Sequence, residues 1–148
     1  MNITILEARM TRSVSLAGGL LVLAPNGMRI LGGLELANKL LDSEDSIEIP
    51  AVHTYESNGG LLGKFPASSA RERYKYPSVM SSRTTIHEVL LEDVEKRGIE
   101  VRYGAKVMSL EELDDGVVVR WVEMNEEKET KVDFVVGADG IWSIARKR

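Results

Sequence analysis

The sequence predicts an α/β fold carrying an antiparallel β-meander, and three observations predict it. One strongly patterned helix, "TTIHEVLLEDVEKRG", stands in the middle of the chain. After it come apolar segments separated by turn signals, over roughly residues 105–136. The chain then runs from the β-branched stretch at Val135 into Gly-Ala-Asp-Gly, a strand-to-turn transition followed by a segment expected to be helical.

The elements follow in order. "NITILEAR" reads as a short buried strand, Ile3 to Leu6, because its β-branched density favours strand over helix. Leu20 to Leu23 forms a second short strand, and Pro25-Asn26-Gly27 reads as a turn. Met28, Leu31, Leu34, Leu36 and Leu40-Leu41 recur at helical spacing, although Gly32-Gly33 argues against one continuous helix. Strand-like pieces around Ser57-Asn58-Gly59-Gly60 suggest a hairpin, and "PASSARERYKYPS" an exposed connection.

In the central helix Thr85 and Glu88 match a capping box. Ile86, Val89, Leu90 and Val94 form its apolar stripe, and Gly98 is its stop. Glu92 with Lys96 and Asp93 with Arg97 stand at ion-pair spacing. Ile99, Val101 and Tyr103 then alternate as a strand. The meander strands are "KVMSLEEL", "GVVVRWVEM" and "TKVDFVVG", with turns at Asp114-Asp115-Gly116 and across the charged stretch Asn125 to Glu129. Pairing of Val117–Val122 with Val132–Val136 is expected.

Composition bounds the function. At 148 residues, 43% hydrophobic and 28% charged, the chain fits one globular domain. A net charge of −4 gives no broad electrostatic footprint for nucleic acid. With no cysteine, there is no disulfide, thiol nucleophile or thiolate metal site, which suits a cytoplasmic location. Pro25, Asn26 and Arg29 interrupt the most apolar window, so no membrane segment is expected. His53 and His87 are far apart, at no metal-ligand spacing. Ser143 has no neighbouring histidine to activate it, and the two tryptophans read as core or sheet-face residues.

Two features carry chemistry. Glu7 closes the first strand, where a dinucleotide fold places the acid that binds ribose hydroxyls. In "GADGIWSIAR", Gly140 allows close approach of backbone to a pyrophosphate. Asp139 can accept hydrogen bonds from cofactor hydroxyls or organise the turn. The spacing of Asp139, Gly140, Ser143 and Arg146 resembles the Asp-Gly motif of flavin-dependent monooxygenases related to para-hydroxybenzoate and salicylate hydroxylases. "LAPNGMRIL" and "SRTTIHEVLLEDVEKRGIEVRYGAKV" resemble other segments of the same family in the same order.

The resemblance implies a fold, a cofactor and a set of site residues. The fold would be an incomplete Rossmann-like FAD-binding domain with an antiparallel β-meander insertion, spanning residues 1–148. Glu7 and Arg9 would bind the adenosine portion of FAD, Arg83 the ribityl or phosphate region, and Val107 the adenine through its backbone. Asp139 and Gly140 would serve the Asp-Gly motif. NAD(P)H would reduce the flavin, and one oxygen atom would pass to an aromatic or similar small organic substrate.

The family's Gly-x-Gly-x-x-Gly fingerprint and C-terminal part do not occur in this sequence. The resemblance therefore implies a fragment, inactive by itself, in which the first strand and Phe134–Gly137 each lack a neighbour and can pair only with each other. No catalytic acid or base is named. Two other readings stay open: a non-catalytic remnant or partner-binding module, and a nucleotide-binding module without flavin.

Overall fold

The structure, a computed structural model, describes residues 2–12, 19–66 and 69–146. The chain divides into two compact units: Met1–Ser13 with Gly98–Arg148, and Val14–Arg97. The expected α/β composition and meander are both present.

The first unit begins with β1 (Thr4–Glu7). The second unit contains β2 (Leu20–Leu23), α1 (Pro25–Gly33), α2 (Ala37–Leu41), β3 (Ser46–Glu48), β4 (Ala51–Tyr55), β5 (Leu61–Pro66), α3 (Ser69–Tyr74), β6 (Val79–Ser82) and α4 (Arg83–Lys96). The chain then re-enters the first unit through β7 (Glu100–Tyr103), β8 (Lys106–Leu113), β9 (Gly116–Glu123) and β10 (Glu126–Val132), and ends in a single 3-10 turn at Gly140–Trp142.

In the second unit β6 is the central strand of three, antiparallel to both β2 and β3. Its side chains alternate, so Val79 and Ser81 are fully buried. Met28, Leu36, Ala37, Leu40, Val79 and Val89 form the core, with Leu23, Leu31, Leu41, Tyr76 and Ile86 against it. β4 and β5 make the expected hairpin, closed by the loop 56–60.

Two expectations fail before α4, each for a local reason. Pro25 does not open a turn; it occupies the first position of α1, where its fixed φ suits a helix and its missing N–H costs nothing. The helix ends where Glu35 adopts a φ of 64°. Gly32 is needed because the Tyr76 hydroxyl lies 2.0 Å from where a Cβ would stand. The supposed exposed connection contains α3.

The cap of α4 is Ser82, whose side chain accepts from the Thr85 N–H, so Thr85 is the third helical residue and not the cap. Leu90 is exposed, leaving Val89 as the buried position of the stripe. Asp93 and Arg97 do pair, at 2.6 Å, but Glu92 turns to Lys39, 3.0 Å away. Gly98 stops the helix with a φ of 67°, as expected.

In the first unit β1 pairs in parallel with β7, from Thr4↔Glu100 to Glu7↔Tyr103. This corrects the expectation that β1 would pair with Phe134–Gly137, which forms no strand ladder. The three meander strands lie in the order β10-β9-β8. Ala105, Val119 and Trp121 are its buried core, packed by Leu6, Val107, Leu110 and Val132.

The third meander strand is Glu126–Val132, which takes in most of the expected turn and only Thr130, Lys131 and Val132 of the expected "TKVDFVVG"; of the expected Val132–Val136 pairing only Val132, opposite Val117, forms. Met124 and Asn125 make the two-residue hairpin turn, with φ of 52° and 65°, the positive values that match strand twist. β10 lies at the sheet edge, where charge blocks further pairing. Its side chains bind its neighbour instead: Glu129 to Arg120 at 3.0 Å and Lys128 to Glu123 at 2.7 Å. Trp121 is in the core as expected, but Trp142 is 80% exposed.

Candidate cofactor site

Glu7 stands at the carboxyl end of β1, at the start of a tight reverse bend. Its Oε1 accepts from the Arg9 N–H at 2.8 Å, and the Arg9 Nε lies 3.8 Å from the same oxygen. The bend is sewn to the end of β7, with Ala105 N–H donating to the Glu7 carbonyl at 3.0 Å and Gly104 N–H to the Arg9 carbonyl at 2.7 Å. The carboxylate is thus fixed in direction while its side chain stays 37% exposed, with lone pairs left for a ligand.

Val107 belongs to the same neighbourhood, because it packs on the small core that Leu6 also joins. It pairs with Trp121, and the next paired residue is Ser109 with Arg120, so Met108 is an extra, bulged residue. A bulge leaves backbone groups outside the ladder, and such groups can meet a ligand.

Asp139 and Gly140 form a turn that is largely self-sufficient. Asp139 Oδ2 accepts from the Ile144 N–H at 2.6 Å and the Ala145 N–H at 3.4 Å. The Ser143 hydroxyl is the largest influence holding the Asp139 carboxyl below the usual range, followed by backbone N–H groups. Ser143 Oγ also accepts from the Arg146 N–H at 3.2 Å, and the Arg146 guanidinium donates to the Ile141 carbonyl. The spacing Asp139-Gly140-Ser143-Arg146 is therefore a hydrogen-bond circuit. Within it Asp139 Oδ2 accepts from two backbone N–H groups.

Gly140 has a φ of 76°, with no atom within 4 Å of where a Cβ would be. That is open room for backbone to approach a ligand. Sequence reasoning missed Gly137. A Cβ there would stand 2.5 Å from the Ala145 methyl, so the circuit closes only over glycine.

Arg83 lies on the second unit as the first residue of α4. It is exposed, its N–H donates to the Gly19 carbonyl at 3.3 Å, and its guanidinium has no carboxylate partner among the described residues. The other five predicted residues all lie on the first unit. Among the described residues no cluster of three histidine or acidic side chains could hold a metal ion, and no helix is long and apolar enough to cross a membrane.

The sequence pattern described as the FAD binding domain family matches residues 2–148. The chain belongs to the FAD binding domain family. It is similar to 3-amino-4-hydroxybenzoate 2-monooxygenase of Streptomyces platensis, with 34% identity over 130 residues, covering 88% of this chain and 32% of that protein. An FAD-dependent monooxygenase of Penicillium paxilli is 30% identical over 135 residues, covering 88% of this chain and 26% of its own length. The chain thus spans about a third or less of the curated relatives it matches.

Among solved structures, aklavinone-11 hydroxylase with FAD and aklavinone superposes with a TM-score of 0.80 at 22% identity, over 98% of this chain and 29% of that one. p-Nitrophenol 4-monooxygenase of Pseudomonas putida superposes at 0.78 with 18% identity, over 93% of this chain and 35% of that one. At these identities the likeness speaks to the fold of this FAD-binding family.

Proposed function

We propose that residues 1–148 act as one FAD-binding region, with the meander within it, in a flavoprotein that uses NAD(P)H to oxygenate an aromatic or similar small organic substrate. The observation that carries this reading is the Asp139 circuit. It holds Gly140 in a left-handed conformation whose outer side is open, as close approach to a pyrophosphate needs. The other residues fit the same group. Glu7, fixed by Arg9 and half-open to solvent, accepts from ribose hydroxyls. The backbone at Val107, beside the bulge at Met108, meets the adenine, and the Arg83 guanidinium, without a carboxylate partner among the described residues, supplies charge-assisted donors to the ribityl or phosphate region.

FAD, when bound, supplies the redox and oxygen chemistry, and this chain's residues bind and orient it. Asp139 acts by shaping the turn, since its Oδ2 holds the Ile144 and Ala145 N–H groups. The sequence holds no Gly-x-Gly-x-x-Gly, so the pyrophosphate lacks the donors of a glycine loop and helix N-terminus. Binding by this chain is accordingly weak, with a dissociation constant above about 10 μM, and the chain alone does not oxidise NADPH.

Parallel calorimetric titrations with FAD, FMN and AMP test the reading. FAD is expected to bind more tightly than either half-molecule, and Glu7→Ala to weaken FAD and AMP but not FMN. AMP binding as tightly as FAD would mean a nucleotide module without flavin. No binding of any of the three would remove the cofactor reading.

A further inference from the structure

The first turn of α4, which begins with Arg83, is held from a loop about 40 residues away. The Thr85 hydroxyl donates to Asp45 Oδ2 at 3.1 Å, and Ser82 Oγ lies 2.8 Å from Thr85 Oγ1. Ser82 Oγ also accepts from the Thr85 N–H at 3.0 Å. Proton counting fixes the direction of this chain. An ionised Asp45 only accepts, so the single hydroxyl proton of Thr85 goes to it, and the proton between Ser82 and Thr85 must come from Ser82.

The result is a one-way relay, Ser82 to Thr85 to Asp45. In an ordinary capping box the third helical residue is a Glu or Gln that reaches back to the cap. Here Thr85 passes the bond outward, into another part of the unit.

Independent bonds brace both ends. Ser46, next to Asp45, donates to the Oγ of the fully buried Ser81 at 2.9 Å, tying the loop to the strand that leads into α4. Asp45 is itself held by its N–H donating to Ser43 Oγ at 3.3 Å. Thr85 is buried, and the Arg83 N–H is anchored on Gly19. A carboxylate at the amino end of a helix also complements its dipole.

We propose that Asp45 is a positioning residue for the cofactor: through Thr85 and Ser82 it fixes the first turn of α4 and so the direction in which Arg83 extends. The proposal rests on the reading of Arg83 as a flavin-side contact. It assigns to a loop aspartate, which no motif marks, a share in FAD affinity exerted without touching FAD.

The test uses the full 148-residue chain with Asp45→Ala, Asp45→Asn and Thr85→Val, each with Arg83 intact and with Arg83→Ala. Amide hydrogen exchange at residues 83–85 reads the clamp, and an FAD titration to millimolar concentration, followed by amide shifts, reads the consequence. Asp45→Ala is expected to speed exchange at Arg83 and Thr85 about tenfold while leaving residues 92–96 unchanged. FAD affinity is expected to fall about 3- to 10-fold, and this loss to vanish in the Arg83→Ala background. Asp45→Asn, which keeps an acceptor, should recover most of the affinity, and Thr85→Val should match Asp45→Ala.

Unchanged exchange in Asp45→Ala, or an equal loss of FAD affinity with and without Arg83, would overturn the positioning role while leaving the Arg83 contact standing. Arg83→Ala with wild-type FAD affinity would overturn the contact itself, and with it any aim for the clamp.

Discussion

Gly137 and Gly140 are three residues apart and meet different needs. A Cβ at Gly137 would stand 2.5 Å from the Ala145 methyl, whereas at Gly140 it would meet nothing and only the φ of 76° would object. Gly137→Ala should therefore destabilise by about 1–3 kcal/mol through overpacking, and Gly140→Ala by about 1–2 kcal/mol through conformation alone. Urea unfolding curves compare them. Asp139 adds a pH signature. Its carboxyl is held below the usual value, chiefly by Ser143, so its contribution is complete above the unfolded value of about 3.9 and is lost as pH falls through the depressed folded value. An NMR titration should show the Ile144 amide shifting only in that acid range. A midpoint at or above the ordinary aspartate value would contradict the circuit. At this scale the sequence showed the spacing of Asp139, Gly140, Ser143 and Arg146, because those residues are close neighbours along the chain. Gly137 was illegible, since its constraint comes from Ala145, which reaches it only after the chain folds back.

At the scale of elements, α4 and the meander show where periodicity suffices and where it fails. The helix was legible from its stripe and its Gly98 stop, but its start was misplaced because Ser82 and Thr85 are both good capping residues and only the Thr85 N–H bond distinguishes them. Ser82→Ala should cost about 1 kcal/mol, read as a lower melting temperature, and Thr84→Ala much less. β10 was misread because a charged edge strand need show no apolar alternation. Its turn, Met124-Asn125, also lacks the glycine that usually announces a two-residue hairpin. At the other hairpin, a Cβ on Gly116 would stand 2.6 Å from the Val132 carbonyl oxygen, where φ is 152°. Gly116→Ala should destabilise the meander by about 2 kcal/mol, with amide exchange rising across β8, β9 and β10 and not across the β2-β6-β3 sheet.

At the scale of the molecule, the parallel pairing of Thr4–Glu7 with Glu100–Tyr103 joins segments almost a hundred residues apart. Periodicity names such strands but cannot pair them, because a parallel pair needs a long crossover and leaves no turn signal between its partners. That pairing places Glu7, the residue proposed for the adenosine side of the cofactor, at a strand end beside Gly104 and Ala105. Of the residues proposed to contact FAD, Glu7, Arg9, Val107, Asp139 and Gly140 belong to the first unit and Arg83 to the second. The most direct test of that claim is a residue-by-residue map of amide shifts in the 148-residue chain titrated with FAD. Saturating, concentration-dependent shifts at Glu7, Arg9, Arg83, Val107 and Gly140, with half-saturation above about 10 μM, are predicted. A map at millimolar FAD that is silent at these five residues would contradict it.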